Sequence, residues 1–268
     1  MRRFLRFLPI LFAAIAVGWV YLTSETFVNP ETGRKAHVGL SDTQEQQLGL
    51  QSFREVVSHS SIVQSGPVYE LVRRVASRLV RVVDTGSERY EWQVAVVQSP
   101  AQNAFCLPGG KIVVYTGILP ITQSEAGLAT VLGHEIAHAT SRHGAQRVFQ
   151  QNAVQIAMVG IQGSMSDLDP QAQRQPLGML GAGAQYGVLL PFSRKHELEA
   201  DQIGLTYMAR AGYDPRESMA FWKRMMTASQ GPKPPELMST HPADQTRIDQ
   251  LTQLMPPALE IYQKAVQQ

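Results

Sequence analysis

The chain of 268 residues contains a single cysteine, Cys106. An intramolecular disulfide is therefore excluded, and so is a thiolate-rich zinc site. Any metal here has to be held by nitrogen and oxygen. No cysteine lies near the N-terminus, which rules out a bacterial lipoprotein anchor. Charge of one sign is also scarce. The 24 Lys and Arg against 22 Asp and Glu give +2, and without Arg2, Arg3 and Arg6 the balance is 2 − 3 = −1. Such a body has no basic footprint for nucleic acid. Internal repeats are lacking too. What is present is an ordinary globular composition, 44% hydrophobic and 17% charged, long enough for one sizeable domain or one with a small appendage.

The N-terminus carries the clearest local pattern. Three arginines precede an apolar run from Phe7 to Leu22, interrupted only by Pro9. This is the basic and apolar arrangement of an export signal. Sixteen helical residues reach roughly 24 Å, slightly short of a ~30 Å hydrocarbon core. Residues 1–24 are thus expected to be an uncleaved signal anchor or a cleaved signal peptide. The positive-inside rule puts the remainder outside the cytoplasm, which for an exported bacterial chain means the periplasmic face of the membrane, or the periplasm if the signal is cleaved. Residues 25–40, with Pro30, Gly33 and Gly39, read as a linker or lead-in segment, and 41–268 as the main domain.

Within that domain, Ser41 and Gln44 fit a capping box for a helix to about Ser58. Val68, Leu71, Val72, Val75, Leu79 and Val82 repeat at helical spacing. Trp92, Val94 and Val96 alternate as a strand does. Ala104 to Leu107 and Lys111 to Tyr115 flank Pro108-Gly109-Gly110, the pattern of a hairpin or a sharp bend. Thr122 to Ile161 reads as helical, with Thr122 and Glu125 as its capping box. Residues 162–191, rich in Gly, Gln and Met, read as a mobile loop or broken helix, with a lid over a cleft as one use. A helix from about Ser193 to Ala211 ends at Gly212, and further helices are expected near 215–229, 243–254 and 257–267. The class is α+β, mainly helical, with one small sheet.

The chemistry concentrates in His134-Glu135-Ile136-Ala137-His138. Helix positions i and i+4 differ by about 40° around the axis, so His134 and His138 project from one face toward one metal ion. Glu135 lies about 100° round from His134, close enough to hold a water there. Leu128, Leu132, Ile136 and Ala139 form the apolar back. Chance produces His-Glu-x-x-His roughly 0.01 times in such a chain. His143 is nine residues on, about 180° round, and points away.

A catalytic zinc site needs three protein ligands and a position for water. Glu197-Leu198-Glu199-Ala200-Asp201 supplies the third. Glu197 and Asp201 share a helix face, and Glu199 faces elsewhere. Glu197 is the expected ligand. Asp201 is expected to accept the free N–H of a ligand histidine and fix its ring. His196 is turned about 100° from Glu197, a bystander. The sequence thus predicts one Zn2+ per chain on His134, His138 and Glu197, with Glu135 as general base for peptide hydrolysis.

These segments resemble the zinc metallopeptidase family of HtpX, the CAAX prenyl endopeptidases and the Oma-type proteases, and most of all its exported bacterial branch of LoiP and BepA. Asn103-Ala104-Phe105-Cys106-Leu107-Pro108-Gly109-Gly110 matches the family's Asn-Ala-Phe-Ala-Leu-Pro-Gly-Gly, with Cys106 at a usual Ala. His134 to His138 with Arg142-His143, Glu197 to Asp201, and Thr240-His241-Pro242 with Arg247-Ile248 match the other three motifs. The resemblance implies a zincin-like, gluzincin fold. It implies that Asn103, Ala104, Phe105 and Cys106 form an edge strand to which an extended protein or peptide substrate adds. It also implies that His241 and Arg247 lie near the metal, His241 either stabilising the oxyanion or binding zinc as a fourth ligand at rest. The expected function is zinc metalloendopeptidase action in envelope protein quality control. The alternative is a zinc-stabilised chaperone or assembly factor whose site His241 closes. Cys106 reads as a small apolar filler.

Overall fold

The computed structural model describes residues 6–83, 90–231 and 234–267. In chain order the elements are α1 (Leu8–Thr23), β1 (Glu25–Val28), β2 (Lys35–Val38), α2 (Asp42–His59), α3 (Pro67–Val80), β3 (Gln93–Val97), β4 (Ala104–Leu107), β5 (Lys111–Tyr115) and α4 (Leu119–Thr122). There follow α5 (Glu125–Thr140), α6 (His143–Ser164), α7 (Pro170–Ala184), α8 (Leu190–Arg210), α9 (Arg216–Ser229), α10 (Glu236–Thr240) and α11 (Gln245–Val266). The expected α+β, mainly helical class holds. The chain forms two compact units, each discontinuous in sequence.

One unit comprises Met1–Asn29, Gly33–Ser41 and His143–Lys195. The segment read as a lead-in carries β1 and β2, which pair antiparallel from Glu25↔Val38 to Val28↔Lys35. Helix α1 lies along α6 at glycine. A Cβ on Gly160 would fall 2.3 Å from the Ala13 Cβ, so only glycine permits this approach. Residues 162–191 are a broken helix rather than a loop: α6 ends at Ser164, α7 starts at Pro170, and a π turn over Gln185–Leu189 leads into α8.

The other unit comprises Pro30–Thr32, Asp42–Arg142 and His196–Gln268. Its three-stranded sheet has the order β3-β5-β4. β3 runs parallel to β5, and β4 runs antiparallel to it, from Ala104↔Val114 to Leu107↔Lys111. β4 is therefore an edge strand. The core joins Val72, Val75 and Leu79 of α3, Leu128, Leu132 and Ile136 of α5, Tyr207 of α8 and Phe221 of α9, all closed to solvent. Each buried Leu, Val, Ile or Phe contributes about 1.5–3 kcal/mol. The repeat read from Val68 to Leu79 is the α3 face against this core, and Val82 packs on it from the turn beyond the helix end.

Three expectations move. The cap of α5 is Ser124, not Thr122. Gln123 takes a left-handed φ of 61° and closes α4, and the Ser124 Oγ accepts from Gly127 N at 3.0 Å. The single helix expected over Thr122–Ile161 breaks at Arg142, whose φ is 53°. A left-handed non-glycine costs about 1–2 kcal/mol. A buried ion pair from Arg142 Nε to Glu45 (2.5 Å), with a second from Nη2 to the half-exposed Asp42 (3.0 Å), holds the side chain in place. Finally, α11 runs unbroken through Pro256 and Pro257. Ile248, Leu251, Met255 and Ala258 are buried along one face on both sides of the prolines. That packing outweighs the lost backbone hydrogen bonds.

Candidate metal centre

Two glycines set the distance between the site's main helices. A Cβ on Gly204 of α8 would lie 2.8 Å from His134 N, and one on Gly133 of α5 would lie 3.0 Å from Gly204 O. The backbones therefore touch where α5 carries His134 and His138 and α8 carries Glu197 and Asp201. A larger residue at either position would separate donors from acceptors. His241 ends α10, with its backbone N bonded to Leu237 O at 2.8 Å, and Leu237 N donates to Gln102 O at 3.2 Å. Arg247 lies in the first turn of α11, where Asp244 caps the helix by accepting Arg247 N at 3.1 Å.

These elements bring His134, His138, Glu197 and His241 together, with one ligand atom from each inside a 4.8 Å group. His134 Nε2 is 3.1 Å from His138 Nε2 and 3.3 Å from His241 Nδ1. The Glu197 carboxylate stands 3.2 Å from His134 Nε2, 3.3 Å from His138 Nε2 and 3.0 Å from His241 Nδ1. A tetrahedron of donors at 2.0–2.1 Å from a metal has edges of about 3.3–3.4 Å. The observed spacings fit that size. One cation satisfies all these lone pairs together, whereas protons bridge them only pairwise.

Asp201 Oδ1 accepts from His134 Nδ1 at 3.0 Å, which directs Nε2 into the group. Arg247 clamps Asp201 from the other side, Nε to Oδ2 at 2.6 Å and Nη2 to Oδ1 at 2.7 Å. Its Nη1 donates to Pro242 O at 3.1 Å and lies 3.3 Å from Glu197. Glu135 is 3% exposed, and its Oε1 has no hydrogen bond, though His241 Nε2 is 3.4 Å away. A buried carboxylate oxygen left open beside the donor group fits a water or a substrate proton there.

The electrostatics follow from burial and pairing. Burial opposes charge on Glu197, but hydrogen bonds from His134, His138 and His241 outweigh it and hold the carboxyl far below its usual range. Burial likewise opposes Asp201, which Arg247 and His134 hold ionised. Burial pushes Glu135 up, only partly offset by His241 and His134. It drives His138 well below the imidazole range, leaving a neutral donor. For His134 burial works downward, yet Asp201 and Glu197 together lift it to about 9. A cation entering the group thus competes with a proton.

Among the expected site residues, His134, Glu135, His138, Glu197, Asp201, His241 and Arg247 converge. His143 and His196 are not in the donor group. Asn103 immediately precedes the edge strand, and Ala104, Phe105 and Cys106 lie in it. Tyr115 N bonds Asn103 O at 3.1 Å, so Asn103 and Phe105 face β5 while the backbone of Ala104 and Cys106 faces the open edge. The Asn103 side chain turns back, its Oδ1 accepting from Ala104 N at 2.9 Å. Cys106 is partly buried, and burial pushes its thiol up, as suits a filler. Trp222 went unread in the sequence. Its ring carries the Arg247 guanidinium at 3.8 Å and meets His134 at 5.3 Å. A buried tryptophan on an amphipathic helix gives no sign of such neighbours.

Fold and site together define a metal-dependent endopeptidase. The model of peptidase family M48 matches residues 69–255, and the chain belongs to that family. It is 36% identical over 257 residues to the mitochondrial metalloendopeptidase OMA1 of Schizosaccharomyces pombe, covering 94% of this chain and 73% of that one. OMA1 of Danio rerio is 35% identical over 80% of this chain, and the beta-barrel assembly-enhancing protease of Yersinia pestis 32% over 82%. The chain spans 46% and 45% of those two relatives, about half their length. These similarities correct the expected location. The OMA1 relatives are mitochondrial proteins, so an exported, periplasmic placement does not stand. Among the described residues no helix is long and apolar enough to cross a membrane. α1 has 16 residues.

Proposed function

We propose that the chain hydrolyses peptide bonds at a single zinc ion held by His134, His138 and Glu197. The observation that carries this is the group of imidazole and carboxylate atoms 3.0–3.3 Å apart beside the open Glu135 oxygen. Nitrogen and oxygen donors without thiolate suit zinc in a hydrolytic site. Zinc, when bound, supplies a Lewis acid that acidifies the attacking water and polarises the scissile carbonyl. Glu135 takes the proton from that water and returns it to the leaving amine. Its raised pKa, a consequence of burial, suits both transfers. Asp201 fixes the His134 ring, and Arg247 fixes Asp201. An extended polypeptide pairs with the outward backbone of Cys106 and the Ala104 carbonyl, the Ala104 N–H being taken by Asn103 Oδ1, and is selected mainly by main-chain hydrogen bonds.

His241 has a second use. Its Nδ1 lies among the donors, which supports a resting arrangement with four protein ligands. Hydrolysis then needs the ring to withdraw, which leaves room for water and frees Nε2 to donate to the developing oxyanion. The test is cleavage of unfolded casein by the purified chain. Cleavage lost on chelation and restored by zinc is expected. Zinc binding without any casein cleavage would favour the chaperone or assembly factor instead.

A further inference from the structure

The helix α9 has no metal-binding residue in the donor group, yet it places one side chain against two parts of the centre. Ser218, Phe221, Trp222 and Met225 are its buried face. Trp222 is 1% exposed. Its ring lies under the Arg247 guanidinium, whose carbon is 3.8 Å from the ring centroid. The same ring meets the His134 imidazole edge-on, with centroids 5.3 Å apart at 71°.

We propose that Trp222 is a positioning residue for the metal centre, bracing His134 directly and through Arg247 and Asp201, and so setting how tightly the site holds a divalent cation. This rests on the proposed metal centre and deepens it.

Two routes run from Trp222 to one imidazole. The direct route limits rotation of the His134 ring about its Cβ–Cγ bond. The indirect route passes through Arg247, which donates to both Asp201 oxygens at 2.6 and 2.7 Å, and then through Asp201 Oδ1 to His134 Nδ1 at 3.0 Å. A buried guanidinium needs a favourable wall on the faces its N–H groups do not serve. The negative face of an indole provides one. Aliphatic bulk fills the volume without that electrostatic match. Phenylalanine keeps a π face in the same place.

The test compares cation affinity in the 268-residue chain, by zinc competition with a chromophoric chelator, and reads ligand geometry from the visible spectrum of the cobalt-substituted protein. Trp222→Leu is expected to raise the dissociation constant about 10–100-fold, the usual effect of losing a group that orients a metal ligand, and to alter the cobalt bands. Trp222→Phe should stay within about threefold of the wild type. The control is Leu79→Ala. Leu79 is equally buried, on α3 in the same core, whereas Phe221 would not serve because its ring meets Trp222 at 5.1 Å. Leu79→Ala should lower the melting temperature while leaving affinity and spectrum unchanged. If Trp222→Leu does not fold, Trp222→Met serves as the ringless variant against Trp222→Phe. Unchanged affinity and spectrum in the ringless variant, or an equal loss in Leu79→Ala, would overturn the positioning role. A wild-type chain binding no zinc or cobalt would instead remove the metal centre on which it rests.

Discussion

The two units invert the usual rule of burial in opposite directions. The unit with the three-stranded sheet encloses charge: His134, Glu135, Glu197, Asp201 and Arg247 are each 4% exposed or less. The unit with α1 exposes apolar bulk, including Trp19 at 68%, Leu22 at 84% and Met179 at 71%. Each pattern costs free energy by itself. In the first, ion pairs and hydrogen bonds offset most of the cost, and the remaining mismatch, Glu135, sits where a proton has to move. In the second, a groove of about 690 Å3 runs between α1 and α6, lined by Phe12, Ala16, Ile156 and Val159 among others. Perturbed polar burial points to chemistry, and the exposed apolar bulk of the other unit lies outside that donor group.

Substitutions can sharpen or break that contrast. The largest effect is expected from Glu197→Ala, which removes the acid that faces three imidazoles. Cation content should fall from one per chain to near zero and cleavage with it, measured by atomic absorption and a peptide assay. Asp201→Ala comes next. It leaves Arg247 buried without its main partner, costing about 3–5 kcal/mol in denaturant unfolding. It should also weaken cation binding about 10–100-fold. Zinc binding near pH 7 should release about one proton, because Asp201 and Glu197 lift His134 to about 9 and a bound cation takes the proton's place. Calorimetry in buffers of different ionisation enthalpy measures this, and Asp201→Ala should reduce it. The smallest effect is expected in the other unit. Met179→Ser, at a 71% exposed position, should change stability by no more than about 0.5 kcal/mol. It should also leave cleavage of a short peptide unchanged. A large loss there would break the division of roles.

Much of the site was legible because helical periodicity alone pairs His134 with His138 and Glu197 with Asp201. His241 and Arg247 carry no such internal signal, and only family resemblance brought them to the metal. What could not be read depends on crossings between distant segments. Gly133 and Gly204 matter because α5 and α8 touch there, and Trp222 because α9 and α11 meet beside His134. The cap of α5 was misplaced because Thr122 and Ser124 both satisfy the capping rule, and the turn at Gln123 decides between them. The break at Arg142 depends on Asp42 and Glu45, about a hundred residues earlier. The N-terminal arginines and apolar run read as an export signal, but such a pattern does not distinguish one compartment from another.

The most direct measurement replaces Glu135 by Gln in the zinc-loaded chain and records metal content and peptide cleavage on the same sample. The account requires one zinc per chain with cleavage reduced at least about 10²–10⁴-fold, as expected for losing a general base. Cleavage at the wild-type rate with zinc still bound would contradict it.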